Sequence, residues 1–225
     1  MGGVIGDILP LAIAVAFSPL PVIIVIMILF SSRARSNGTA FVLGWIVALA
    51  LLGSLSLFLV NAGKVAVRGA PSTQSYALKL LLGLLFLFLA YLAWKKPPQL
   101  GNESQLPLLM GSLDSLSIGK TFGLALLWGT VNPKNFGLML AAVLSIAESG
   151  LNGAESWIAV AVFVVLASIT VAAPVLYDLA AGASAEKTLT GWKTWLIANN
   201  ATVTIVLFLV LGAKLVGDGL GGLLG

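Results

Sequence analysis

Two short motifs carry most of the chemistry open to this chain: Ser18-Pro19-Leu20-Pro21 and Asn132-Pro133-Lys134-Asn135. Proline has no N–H and clashes with the carbonyl four residues before it. Pro19 and Pro21 should therefore free the carbonyls of Val15 and Phe17, and Pro133 should free that of Gly129. In lipid such carbonyls must be satisfied by protein, water or ligand. Lys134 adds a fixed positive charge, the only charge between Lys120 and Glu148. It favours carboxylate, phosphate or sulfate and opposes a cationic ligand.

The elements that position these motifs are set by composition. Of 225 residues, 59% are hydrophobic and only 9% are charged. Soluble domains carry about 25% charged residues. The mean hydropathy of +1.08 agrees, and the expected class is an all-α integral membrane protein. Lipid offers no hydrogen bonds, so each crossing should be helical, with about 20 apolar residues per crossing. Six segments qualify: 5–30, 40–60, 76–94, 119–147, 157–179 and 197–216. The first basic residue is Arg33, after the first apolar run, so that run is expected to remain as a span rather than to be a signal peptide. Both motifs then fall near the middle of a span, the first and the fourth, and should break it.

At mid-depth a Lys costs about 2.5–3.5 kcal/mol on insertion scales, so Lys134 should face a polar interior. Each motif also has a plainer reading. Paired prolines can be a packing kink, and Lys134 can be a structural Lys held by freed carbonyls or a carboxylate. Asp178, beside Pro174 and Tyr177, is a candidate counter-ion or coupling group; it can equally be an interfacial Asp in water. Lys79 should snorkel from the third span, and Asp7, Glu148 and Glu155 lie near span ends. Gly119 and Gly123 have the GxxxG spacing of close-packed helices. Asn199 and Asn200 read as a wet start, or a cap, before the sixth span.

The two halves are related. Asn132-Pro133 follows Ser18-Pro19 by 114 residues, and Trp157-Ile158 follows Trp45-Ile46 by 112. Three spans per half is odd, so the second repeat should run inverted, as in many transporters. The division is residues 1–95 for the first repeat, 96–118 for a polar loop with Pro97, Pro98 and Pro107, and 119–225 for the second repeat. Connections one, three and five carry seven Lys or Arg, and the opposite side four. The positive-inside rule puts the seven in the cytoplasm and both termini outside.

The absence of Cys and His removes disulfides, thiol chemistry and the common zinc and haem sites. No hydrolase triad or phosphate-cradling loop is present. No cofactor, no resident metal and no enzymatic activity are expected. The net charge of +4 comes from loop residues that set topology, not from a nucleic-acid surface; Arg33 and Arg35 could also hold anionic headgroups.

The segments DILPLAIAVAFSPLPVIIVIMILFSSRARSNGTAFVLGW, WGTVNPKNFGLMLAA and GWKTWLIANNATV carry a family resemblance across nearly the whole chain. They resemble the glycolipid-addressing, or sulfolipid-addressing, membrane proteins of actinobacteria, within the lysine-exporter superfamily. The resemblance implies six spans in two inverted three-helix repeats. It implies movement or delivery of envelope glycolipids across the bacterial plasma membrane. Ser18, Pro19 and Pro21 match the first motif, and Asn132, Pro133 and Lys134 the second. With Asn135 they make the expected substrate site. The expected partners are membrane lipids, an anionic or polar lipid substrate, a second copy of the chain in a homodimer, and envelope-lipid biosynthesis or export proteins. Two other functions remain open: a small-solute exporter of amino acids or ions, and a non-transporting scaffold for glycolipid assembly.

Overall fold

The computed structural model describes residues 1–62, 73–95 and 116–224. Most of the polar loop at 96–118 lies outside them. The described residues are all-helical: α1 (Gly2–Ala16), α2 (Pro19–Leu29), α3 (Ala34–Asn61), α4 (Thr73–Lys95), α5 (Ile118–Val131), α6 (Pro133–Glu148), α7 (Gly153–Ala181), a 3-10 turn (Gly182–Ser184) and α8 (Ala185–Leu224). Four of these, α3, α4, α7 and α8, are long and apolar enough to cross a membrane. The α1–α2 pair, bent by 50°, makes a fifth candidate. α5 is a shorter apolar helix.

Local chemistry explains the breaks. The residue before a proline is steered away from helical angles. Ser18 is extended at ψ 103°, with Pro19 opening α2. Asn132 is extended at ψ 114°, with Pro133 opening α6. A proline at the first helical position loses nothing, because its N–H would have no partner there. α7 starts on a capping box between Asn152 and Glu155, which satisfies two otherwise orphaned N–H groups. It ends at Gly182, whose φ of +55° suits glycine.

The halves interlock. α5 packs along α3, α1 packs against α7 and α6, α2 contacts α3, α7 and α8, and α4 runs along α8. The α4–α8 seam is close because of glycine: a Cβ on Gly83 would lie 2.6 Å from the Val216 backbone nitrogen. Leu55, Phe58, Leu81 and Val165 face outward, each more than half exposed, while Trp45, Phe86, Phe163 and Leu138 are fully buried. Large apolar side chains outside as well as inside are what a lipid solvent permits.

Three expectations change here. Asn199 and Asn200 neither start nor cap a helix, because α8 runs unbroken through them for 40 residues. Asn199 donates its side-chain amide to the Trp195 carbonyl one turn back, at 2.8 Å. Gly119 and Gly123 form no packing seam; a Cβ on either would meet nothing within 4 Å. Lys79 does not snorkel. It is buried and ion-paired with Glu148.

Candidate functional site between the broken helices

The two proline motifs meet inside the bundle. Ser18, Pro19, Pro21, Asn132 and Lys134 line one cavity of about 180 Å³, together with Trp128 and, from α8, Asn200, Thr204 and Phe208. At the first break Phe17 N donates to Ile13 O at 2.8 Å, and Ser18 N turns back to Ala16 O at 2.8 Å. Ser18 N would otherwise have bonded Ala14 O, so that carbonyl is released. The Lys134 ammonium fills its place, donating to Ala14 O at 3.0 Å. The Thr170 hydroxyl of α7 donates to Ala16 O. The carbonyls that gain side-chain partners are therefore those of Ala14 and Ala16, one residue before each of the two expected, because the chain tightens at Ser18.

The second break is self-contained. Asn132 caps α6 by accepting from Lys134 N at 3.0 Å. Asn135 is fully buried and donates its amide to Gly129 O at 3.3 Å, the carbonyl that Pro133 frees. Asn135 thus does not line the cavity; it holds the break open. Its Oδ1 has no partner among the described residues, and neither does the nearby Trp45 Nε1. Ser18 makes no matching cap bond at the start of α2.

The electrostatics follow from these positions. α2 and α6 both begin at the cavity, and helix N-termini carry partial positive charge. Lys134 places its amine beside them. Its bond to a C-terminal carbonyl of α1 is favourable for the same reason with the sign reversed. An ammonium has three donors. Among the described residues Lys134 spends one on Ala14, and its salt-bridge partners number none.

A second pocket, about 300 Å³, adjoins the first and shares Ser18 and Pro19 with it. Its walls are apolar: Phe17, Val22, Ala173, Trp192, Trp195 and Val203 are among them. Sequence reasoning did not single out Thr170, Thr204, Phe208 or these tryptophans. Threonine and aromatics occur throughout apolar spans, so only the packing of α8 and α7 against the break marks them.

Asp178 and Tyr177 lie elsewhere. Asp178 faces a pocket of about 430 Å³ with Arg35 and Glu186, at the end of the bundle where α3 and α8 begin. The Tyr177 hydroxyl bonds Thr188 Oγ1 at 3.2 Å, and its ring packs on Trp192 with centroids 5.4 Å apart.

Several helices long and apolar enough to span, with the α1–α2 and α5–α6 junctions meeting at a polar interior, define a multi-pass membrane protein with a buried polar site. The family model for the sulfolipid-1-addressing protein, Sap, matches residues 8–221. The chain belongs to that family. Comparison with curated proteins and with solved structures gives no significant match.

Proposed function

We propose that this protein translocates or delivers an anionic or polar-headgroup lipid, of the sulfolipid or glycolipid kind, across the bacterial plasma membrane. The observation that carries this reading is the shared wall. A small polar cavity holding Lys134 abuts an apolar pocket through Ser18 and Pro19. An amphiphile needs both environments in contact, charged group in one and chain in the other. The family's description, a sulfolipid-1-addressing protein, points to the same chemistry.

In this reading the chain is an exporter and not an enzyme. It has six spans in two inverted repeats, as in the lysine-exporter superfamily, with α5 and α6 forming the fourth span. The reciprocal packing supports the repeat: α5 lies on α3 as α1 lies on α7, and α4 pairs with α8. The repeats rock about the Lys134 cavity to give alternating access. Both termini face out, by the charge count. A homodimer and envelope-lipid biosynthesis or export proteins are the partners this role requires testing.

The test is movement of a headgroup-labelled anionic lipid between leaflets of vesicles holding the purified protein. Lys134→Met should slow it at least tenfold with the protein still inserted. Unchanged movement would remove the anion site from the mechanism. The cavity's size, about 180 Å³, also suits a small carboxylate, which favours a second reading as a small-solute exporter. Vesicles loaded with a labelled amino acid separate the two: efflux of solute without lipid movement selects the second.

A further inference from the structure

At the end of the bundle away from Asp178 lies a polar pocket of about 580 Å³. Its walls include Lys79 of α4, Ser145 and Glu148 of α6, and Lys214 and Asp218 of α8. Lys79 and Glu148 are ion-paired, with side chains only 8% and 11% exposed. Glu148 Oε1 is buried and has no partner among the described residues. The pair joins the first half of the chain to the second.

Between this pocket and the Lys134 cavity stands an apolar plug. Phe208 lines the cavity and stacks on Phe86 of α4, with centroids 5.6 Å apart and planes within 8°. Leu82, Leu138, Leu211 and Leu215 are buried around that level. The spacings place these residues along single helix faces: Phe86, Leu82 and Lys79 on α4, and Thr204, Phe208, Leu211 and Leu215 on α8. α6 spans the whole distance. It carries Lys134 near its start and Glu148 at its end, roughly 21 Å apart at 1.5 Å per residue. Both ends of this one rod are tied to the first half by a lysine ammonium, Lys134 to Ala14 O and Lys79 to Glu148.

We propose that the Phe86–Phe208 stack and the Lys79–Glu148 pair are two closed gates on a path from the Lys134 cavity to this pocket, and that parting of the Lys79–Glu148 pair opens the second. The inference rests on the transport reading for its purpose, but not for its test. Breaking that tie frees the C-terminal end of α6 from α4. The other titratable groups facing the pair are Asp7 of α1, Tyr76 of α4, and Lys214 and Asp218 of α8. Lys214 and Asp218 are already bonded to each other at 2.6 Å, and Glu155 of α7 is held in its capping box.

The chain has no cysteine, so a single reporter can be read without background. Leu211→Cys sits one turn from Phe208 and is buried at 3% exposure in the parent leucine. The full chain in nanodiscs is treated with a charged methanethiosulfonate reagent, and rates are normalised to a Leu224→Cys control for thiol ionisation. In the otherwise unchanged chain the reporter should label slowly at pH 8. Adding Glu148→Gln should make labelling at least tenfold faster. The charge-swapped Lys79→Glu, Glu148→Lys chain should restore slow labelling at pH 8, which separates gating from misfolding. Slow labelling in Glu148→Gln overturns the proposal. None of these readouts depends on whether lipid moves.

Discussion

Lys134 donates to the carbonyl of Ala14 at 3.0 Å, across 120 residues of chain. One broken helix thereby stitches shut the end of the other. The bond has a structural side, since it satisfies a released carbonyl, and a functional side, since it presents an ammonium to a cavity.

Lys134→Met should separate the two sides. Loss of the bond leaves Ala14 O in a part-buried place without its donor, which costs about 1–3 kcal/mol. Thermal unfolding in detergent should show the lower Tm. Lys134→Arg should recover part of that stability. Binding of an anionic lipid, measured by co-purification, should fall for Met and remain for Arg.

Asn135→Leu should be as damaging as Lys134→Met although it touches no ligand. It orphans the Gly129 carbonyl, at about 1–3 kcal/mol, and adds bulk where a flat amide sits. The expected readout is a lower Tm with a lipid preference unchanged among the molecules that still fold. A Tm equal to that of the parent would show that water replaces the amide there.

Glycine packing predicts a sharp contrast within α5. Gly129→Ala would bring a Cβ to 2.5 Å from Ala48 Cβ on α3. Overpacking of this kind costs about 1–3 kcal/mol. Gly123→Ala meets open space and should stabilise by up to about 1 kcal/mol through helix propensity. Urea or thermal denaturation of the two single variants decides the point.

The Lys79–Glu148 pair should behave as a unit. Removing one buried partner costs about 3–5 kcal/mol, whereas replacing both by apolar groups can be neutral. Lys79→Met and Glu148→Met should each lower Tm strongly, and the double variant should recover much of the loss. Additive losses would mean that the two groups are not coupled.

The apolar pocket makes a prediction about chain length. Val203→Trp should fill space beside Trp195 and discriminate against long-chain lipids, leaving short-chain analogues with the same headgroup less affected. Competition binding with a graded series of chain lengths measures it. Equal loss at every length would place the chains elsewhere.

Proline and charge were readable from the residues because their penalties are local. Pro19 and Pro133 disfavour helix continuation and each opens a new helix, although Pro10 and Pro174 are carried inside α1 and α7; it was the Ser18-Pro19-Leu20-Pro21 and Asn132-Pro133 contexts that marked the breaks. That Lys134 faces the interior followed from the uncharged run around it. Partnership was not readable. Lys79 and Glu148 each sit near a helix end, where solvation is the ordinary outcome, and nothing in one sequence aligns α4 with α6. Asn200 stood out as polar but was read as a boundary, since hydropathy cannot tell a helix end from a polar notch on a continuous face. The glycine seam was misplaced for the same reason. Spacing marked Gly119 and Gly123, while α4 and α8 close over Gly83 and Gly212.

α8 has a further consequence. Its 40 residues make a rod about 60 Å long, twice the roughly 30 Å of hydrocarbon. Even a steep tilt of about 40° leaves it taller than the oily slab. Thr204 touches the cavity, and Trp192 lies three turns toward the basic end. Beyond it, Ala185 and Leu189 are buried against the bundle. One stiff mast therefore runs from the buried site past the thickness of the oily slab, so a shift of the bound molecule can be felt at its far end.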